Sequence, residues 1–367
     1  LAQHLKKRYG AVEVEKWFFE LWHDPRTKIH NEDSWYYNNF ENGYRILKEL
    51  SPNINVGGAG FALGYEKTII KQALKHWSNR NIRPDFISVY SFNYIMNDWE
   101  DGDSIKKSLD THFISNQIDM FKQYMNEADF DVPNIFVTEW NFTMSNRNRL
   151  NDSCASAAFI MRDCIETMDK VNVLAHWHGT DIYSESHDAS GILSGDSGLI
   201  TRDNIKKPAF YALSFLNELE RDVLGRNEHS IVTAGRDNTY RIACHNSKKM
   251  SYRYALREED EVTYEEQNSL FENDDSLQLQ YAIQNVENGT YLIKMNYINE
   301  GNGNIQRIWS EMGFSTALLP DEIEYLRNSA MPHLEMKQVK VRDNILRIEC
   351  SLLAHEIRLI DIRKQGD

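Results

Sequence analysis

The chain has 367 residues, 41% of them hydrophobic and 26% charged, with a formal net charge of −14. That is an ordinary globular composition with room for one large domain and a smaller one. The acidic balance argues against direct contact with nucleic acid or an anionic membrane, and no run of 18 apolar residues is present to span a bilayer.

Strand and helix patterns alternate through the first part of the chain. "EKWFFELW" is a strand-type aromatic run. "WYYNNFENGYRILKEL" sets Tyr36, Phe40, Tyr44 and Leu47 at helical spacing. "INVGGAG" reads as a strand ending in glycines, and "YEKTIIKQALKHW" as a helix with Ile69, Ile70, Ala73, Leu74 and Trp77 on one face. The strand "PDFISVYSF" precedes an expected helix, "SIKKSLDTHFISNQIDMFKQYM", with Ile105, Leu109 and Phe113 in register. "NIFVTEW" and "VNVLAHWHG" are strands, each followed by a helical run, "SCASAAFIMRDCIETM" and "KPAFYALSFLNELE". Five βα units in sequence predict a parallel sheet with helical cover.

From about residue 226 the pattern changes to β-rich runs joined by Asn, Gly and Asp turns, as in "HSIVTAGRDNTYRIACHN" and "LQLQYAIQNVENGTYLIKMNYIN". The fold class expected is α/β plus all-β, with an α/β domain over 1–225 and an antiparallel β-sandwich over 226–367. The acidic stretch "REEDEVTYEE" reads as a solvated loop.

Four cysteines, Cys154, Cys164, Cys244 and Cys350, lack metal-ligand spacing and read as reduced core residues of a cytoplasmic protein. His176 and His178 would face the same way on a strand, with His187 nearby, but no further ligand has suitable spacing. Gly57 and Gly58 lack the Lys-Ser/Thr of a phosphate loop. Neither a metal nor a cofactor is expected. The sequence opens at Leu1 inside a helical pattern, so a fragment or processed piece is expected. The aromatic content of 11% suits either a sugar-stacking cleft or a large aromatic core.

Two strands end in carboxylates: "WFFELWHDP" at Asp24 and "NIFVTEWN" at Glu139. Together with "HLKKRYGAVEVEKWFFELWHDP", "LKELSPNINVGGAG", "PDFISVYSF", "HWHGTDIYSE", "KPAFYALSFL" and "SLLAHEIRLIDI", their order resembles glycoside hydrolase family 39, the β-xylosidase and α-L-iduronidase group. The resemblance spans essentially the whole chain. It implies a retaining site on a (β/α)8 TIM barrel with an accessory β-sandwich. It maps "FFELWHDP" to the fourth strand, with the acid/base, and "FVTEWN" to the seventh, with the nucleophile. The chain would then hold a partial barrel, strands four to eight, with the first three βα units supplied by another chain or fragment.

Retaining cleavage needs two carboxyl groups about 5–5.5 Å apart, one attacking the anomeric carbon and one delivering a proton. Glu139 keeps the family's nucleophile position. The acid/base position departs from it: Asn-Glu-Pro in the family is His23-Asp24-Pro25 here. Aspartate is one methylene shorter, and a misplacement near 1 Å costs about a hundredfold. His23 would replace the family's Asn donor only if its ring reaches the sugar and its tautomer suits. The family's His-x-Tyr is Tyr90-Ser91-Phe92, which removes a hydroxyl near the nucleophile. Trp177, Asp181 and Glu185 match, and Ser184 replaces an acidic residue.

Glu139 and Asp24 are therefore the expected catalytic positions, with His23, Tyr90, Trp177 and Glu185 as sugar-binding residues for a pentose or short xylo-oligosaccharide. The favoured expectation is a sugar-sensing domain of weak or absent hydrolysis, as in domains resembling this family fused to AraC-type transcriptional regulators. The alternative is an active retaining β-xylosidase-type enzyme with Asp24 as a working acid/base.

Overall fold

The structure is a computed structural model and describes residues 1–23, 35–96, 105–181 and 191–366. The chain divides into two compact units, 1–141 with 167–176, and 142–166 with 177–367.

The first unit is built on a five-stranded sheet. After two short helices, α1 (Ala2–Tyr9) and α2 (Ala11–Val14), its strands are β1 (Phe18–Glu20), β2 (Asn55–Leu63), β3 (Ile87–Phe92), β6 (Ile135–Asn141) and β7 (Val173–His176). A hairpin of β4 (Tyr94–Met96) and β5 (Ile105–Lys107) stands apart from them. The order is β1-β2-β3-β6-β7 and every pairing is parallel, so β1 and β7 are the edges. The connections within this unit carry α3 (Trp35–Leu50), α4 (Lys67–Ser78) and α5 (Phe113–Glu127), while α6 (Cys154–Thr167), which follows β6 in sequence, belongs to the second unit but for its last residue.

The expected periodicities account for α3 and α4. Tyr36 and Phe40 are buried on α3, and Ile70, Ala73, Leu74 and Trp77 on α4. The Trp77 ring is enclosed by Phe40 at 5.5 Å, Phe61 at 6.0 Å and Phe130 at 6.2 Å between centroids. Much of the aromatic content is therefore core. The expected helix from Ser104 starts late: α5 begins at Phe113, and Ile105–Lys107 is a strand. Asp110 ends the non-helical stretch by accepting from the His112 amide at 3.0 Å and the Asn116 amide side chain at 2.8 Å. Such local side-chain hydrogen bonding competes with helix continuation.

Register shifts interrupt three of the parallel ladders, β2–β3, β3–β6 and β6–β7. Between β2 and β3 the register passes from Ala59↔Ser88 to Phe61↔Val89, leaving Gly60 as an inserted residue. Gly60 has φ +71°, its amide donates to Ser88 Oγ at 2.9 Å, and the Trp22 indole lies where a Cβ would stand. Between β3 and β6 the register passes from Val89↔Val137 to Tyr90↔Glu139, leaving Thr138 inserted.

In the second unit, α7 (Pro208–Asn217) precedes antiparallel sheets. Six strands run in the order β13-β12-β15-β10-β9-β8: β8 (Asp222–Asn227), β9 (Ser230–Ala234), β10 (Thr239–His245), β12 (Gly289–Ile298), β13 (His333–Val341) and β15 (Ile357–Lys364). A separate pair joins β11 (Leu277–Gln284) to β14 (Ile345–Leu352). Burial alternates residue by residue along β11 and β14, the period-2 signature of a half-buried strand. Leu279, Tyr281, Ile348 and Cys350 from that pair share one core with Ile242, Ile293 and Ile360 of the larger sheet.

Gly60→Ala tests the β2 insertion. A positive φ is unfavourable for alanine, and the new methyl displaces Trp22, so a loss of about 1–3 kcal/mol is expected in denaturant unfolding.

Candidate functional site

Parallel pairing sets the C-terminal ends of the five strands on one side of the sheet, where loops carry function in α/β folds. Glu139 lies there, in register with Tyr90 of β3, which is in turn in register with Ala62 of β2. Strict alternation would send Glu139 to the face opposite Phe136. The Thr138 insertion resets the alternation, so Glu139 joins the Phe136 face while Val137 and Trp140 stay fully buried on the other. Phe18 and Glu20 of β1 share that first face, because the Phe18 ring packs edge-on to Phe136 at 4.8 Å and alternate residues of a strand point the same way.

The Glu139 carboxyl is half-buried. Burial first, and then the like charge of Glu20, raise its pKa above the ordinary glutamate value. Sequence reasoning did not single out Glu20. Only the pairing of β1 with β2, and the Thr138 insertion, reveal that it faces the same way as Glu139.

Tyr90 accepts a hydrogen bond from the Tyr65 hydroxyl at 3.1 Å. Burial, then Tyr65 itself, then Glu66 and Glu139 hold the Tyr90 hydroxyl well above its usual range. Tyr65 is pushed up to about 12, mainly by burial, with the Glu66 and Glu139 charges adding and its bond to Tyr90 opposing. Both phenols therefore keep their protons at neutral pH. Phe92 is buried, with its ring 6.1 Å from that of Tyr90 between centroids.

His23 is 1% exposed. Its amide donates to the Ala59 carbonyl at 2.8 Å, and Nδ1 donates to the same oxygen at 2.8 Å. A carbonyl only accepts, so Nδ1 carries a proton. Nε2 lies 3.2 Å from Glu66 Oε1, and Glu66 Oε2 accepts from the Ala62 amide at 2.7 Å. The ring thus ties the chain beyond β1 to β2 and Glu66. Asp24, Ser184, Glu185 and His187 lie outside the described residues.

Trp177 belongs to the second unit and is partly exposed, with the His178 ring edge-on at 5.3 Å. His178 Nδ1 donates to the Thr180 carbonyl at 2.7 Å, and Nε2 lies 3.1 Å from Asp196 Oδ1. Of the residues expected at the site, the described structure brings Tyr90 and Glu139 into one row and sets His23 at the end of the neighbouring edge strand.

A family model described as glycosyl hydrolases family 39 matches residues 1–344. The chain belongs to that family. It is 25% identical over 374 residues to a β-xylosidase of Geobacillus stearothermophilus, covering 100% of this chain and 69% of that relative. The crystal structure of a monomeric β-xylosidase from Caulobacter crescentus CB15 superposes with a TM-score of 0.81 at 20% identity, over 100% of this chain and 73% of that one. An uncharacterized HTH-type transcriptional regulator of Staphylococcus aureus is 20% identical over 230 residues, 63% of this chain and 29% of that relative. Family membership and a β-xylosidase-like chain are thus established. Among the described residues, no helix is long and apolar enough to cross a membrane.

Removing the Glu20 charge tests the electrostatics of this face. A neighbouring anion favours the protonated form of Glu139, so Glu20→Gln is expected to move the Glu139 midpoint to lower pH in a carboxyl-carbon NMR titration. An unchanged midpoint would mean that burial alone raises it.

Proposed function

We propose that this chain carries the main part of a retaining β-xyloside-cleaving site, with Glu139 as nucleophile and Asp24 as a shortened acid/base. The observation that carries this reading is the Thr138 insertion. It turns Glu139 from the buried face to the face of Glu20 and Phe136, at the strand end where a substrate can reach it. Likeness to a β-xylosidase along the whole chain supports the substrate class. Tyr90 and Trp177 serve in sugar recognition, the first through its hydroxyl and the second as a stacking ring, and Glu185 takes a sugar hydroxyl. His23 contributes by holding the strand end that leads into Asp24.

In this reading β1, β2, β3, β6 and β7 are strands four to eight of a (β/α)8 barrel, and the antiparallel sheets form its accessory β-sandwich. The edges β1 and β7 would pair with further strands of that barrel. Phe18 and Trp22 support this, since they stay 44% and 52% exposed on or just beyond an edge strand. The same large aromatics would be covered by a closing neighbour.

A second reading, a sugar sensor of little activity, draws on Asp24 standing where the family has glutamate. It also draws on the likeness of part of the chain to a transcriptional regulator. An aryl β-xyloside assay with a good and a poor leaving group separates the two. The hydrolase reading expects turnover of both, slower for the poor one, and a loss of about 10³-fold or more in Glu139→Gln. Asp24→Glu is expected to speed the poor leaving group by about 10–100-fold, because it restores the reach of the acid. Binding of xylosides without turnover of either would leave the sensor standing and remove the hydrolase.

A further inference from the structure

A buried ion cluster lies in the second unit. The Lys207 side chain is 0% exposed. Its Nζ lies 2.7 Å from Asp152 Oδ1 and 2.7 Å from Asp181 Oδ1, and donates to the Asp196 carbonyl at 2.8 Å. Asp152 also accepts from the Gly195 amide at 2.7 Å, and the Asp196 carboxylate accepts from the Ser197 amide at 2.6 Å. A buried ammonium is tolerated only when paired, and here three chain segments supply the partners.

Those segments have different tasks. Asp152 closes the turn that leads into α6. Asp196 belongs to the loop before α7. His178 and Asp181 belong to the stretch directly after Trp177. That stretch is also fixed through its backbone. The His178 amide donates to the Ser197 carbonyl at 3.2 Å and the Asp181 amide to the Ile200 carbonyl at 2.9 Å, while the Lys207 amide donates to the Leu199 carbonyl at 3.0 Å. The approach is close enough that a Cβ on Gly198 would stand 2.1 Å from the Asp181 nitrogen. Burial raises Asp181 to about 6 against the opposing pull of Lys207, so the single ammonium does not fully compensate the carboxylates gathered on it.

We propose that Lys207 is a positioning residue for sugar recognition, holding the backbone from Trp177 to Asp181 in one arrangement and so fixing Trp177 as a rigid stacking ring. This rests on reading Trp177 as a sugar-stacking residue. A rigid aromatic face loses less entropy on binding than a mobile one, so the effect falls on affinity rather than on bond cleavage.

The test uses the whole chain in two forms, Asp181→Asn and the neutral pair Lys207→Met with Asp152→Asn. The first removes the link to the Trp177 segment and keeps the Lys207–Asp152 pair, so it stays informative if the second folds poorly. Hydrogen exchange followed by mass spectrometry is expected to rise about tenfold in residues 177–181, with the strands β9 to β15 unchanged. The KM for an aryl β-xyloside is expected to rise about tenfold, with kcat within about twofold. Unchanged exchange at 177–181 in both forms overturns the proposal, and so does a loss in kcat with KM unmoved. If the parent neither binds nor cleaves xylosides, the functional reading falls by itself, and the exchange result still decides whether Lys207 holds the segment.

Discussion

The direction of Glu139 depends on one inserted residue. In a strand the side-chain period is two, so a shift by one residue exchanges the faces of everything that follows. Thr138 makes that shift between Val137, which must stay in the core, and Glu139, which must leave it. Without the insertion Glu139 would share the face of Val137 and Trp140 would take the other, so either the carboxylate would be buried with Trp140 turned outward or Val137 would be turned outward with it. Either outcome is unfavourable, because burying an unpaired carboxylate and exposing an apolar core side chain are each expensive. The β2 strand carries a parallel device at Gly60, where the left-handed backbone and the overlying Trp22 leave no room for a side chain. Both insertions fall toward the strand ends that face the candidate site, where bulges are characteristically found.

The electrostatics of that face favour one protonation pattern. Tyr65 and Tyr90 remain phenols, and Glu139 takes up its proton more readily than an exposed glutamate would. Such a bias is unhelpful to a resting nucleophile, which attacks as the carboxylate. In the proposed reaction it would become useful once positive charge develops at the anomeric carbon. A carboxylate held in a poorly solvating position beside another anion is stabilised more by that charge than a well-solvated one would be, and stabilisation confined to the transition state is what accelerates a reaction. Glu20 shares this face from the edge strand β1, where it is in register with Gly57 rather than with Ala62.

Much of this was legible from residue order. The helical spacing of "WYYNNFENGYRILKEL" defines α3 over Trp35–Leu50, and the strand runs give the five parallel strands in their order. Glu139 was visible because an apolar run ended in a carboxylate. The start of α5 was not, because Ile105, Leu109 and Phe113 fit a helical period while Asp110 favours a local turn. The inserted Thr138 and Gly60 were hidden for a related reason. An insertion leaves no mark in composition and shows only against the partner strand. Glu20, Tyr65, Glu66 and Lys207 escaped because their roles arise from pairing across 25 residues or more, or from register, which one-dimensional spacing does not contain.

Glu139 and Asp181 show why a perturbed carboxylate does not by itself mark a reactive one. Burial raises both. Asp181 faces a lysine ammonium at 2.7 Å, is walled in by Gly198 and shares its cation with Asp152, so it is paired, though not fully compensated, inside the framework. The charge that raises Glu139 after burial is Glu20, an anion on the same face, and Glu139 is partly exposed. A charge compensated inside the protein stabilises an arrangement of backbone. A charge left uncompensated on an accessible face is available to a ligand that brings the opposite charge. That contrast is what favours the sheet of the first unit as the proposed site, and the Lys207 cluster as its proposed framework.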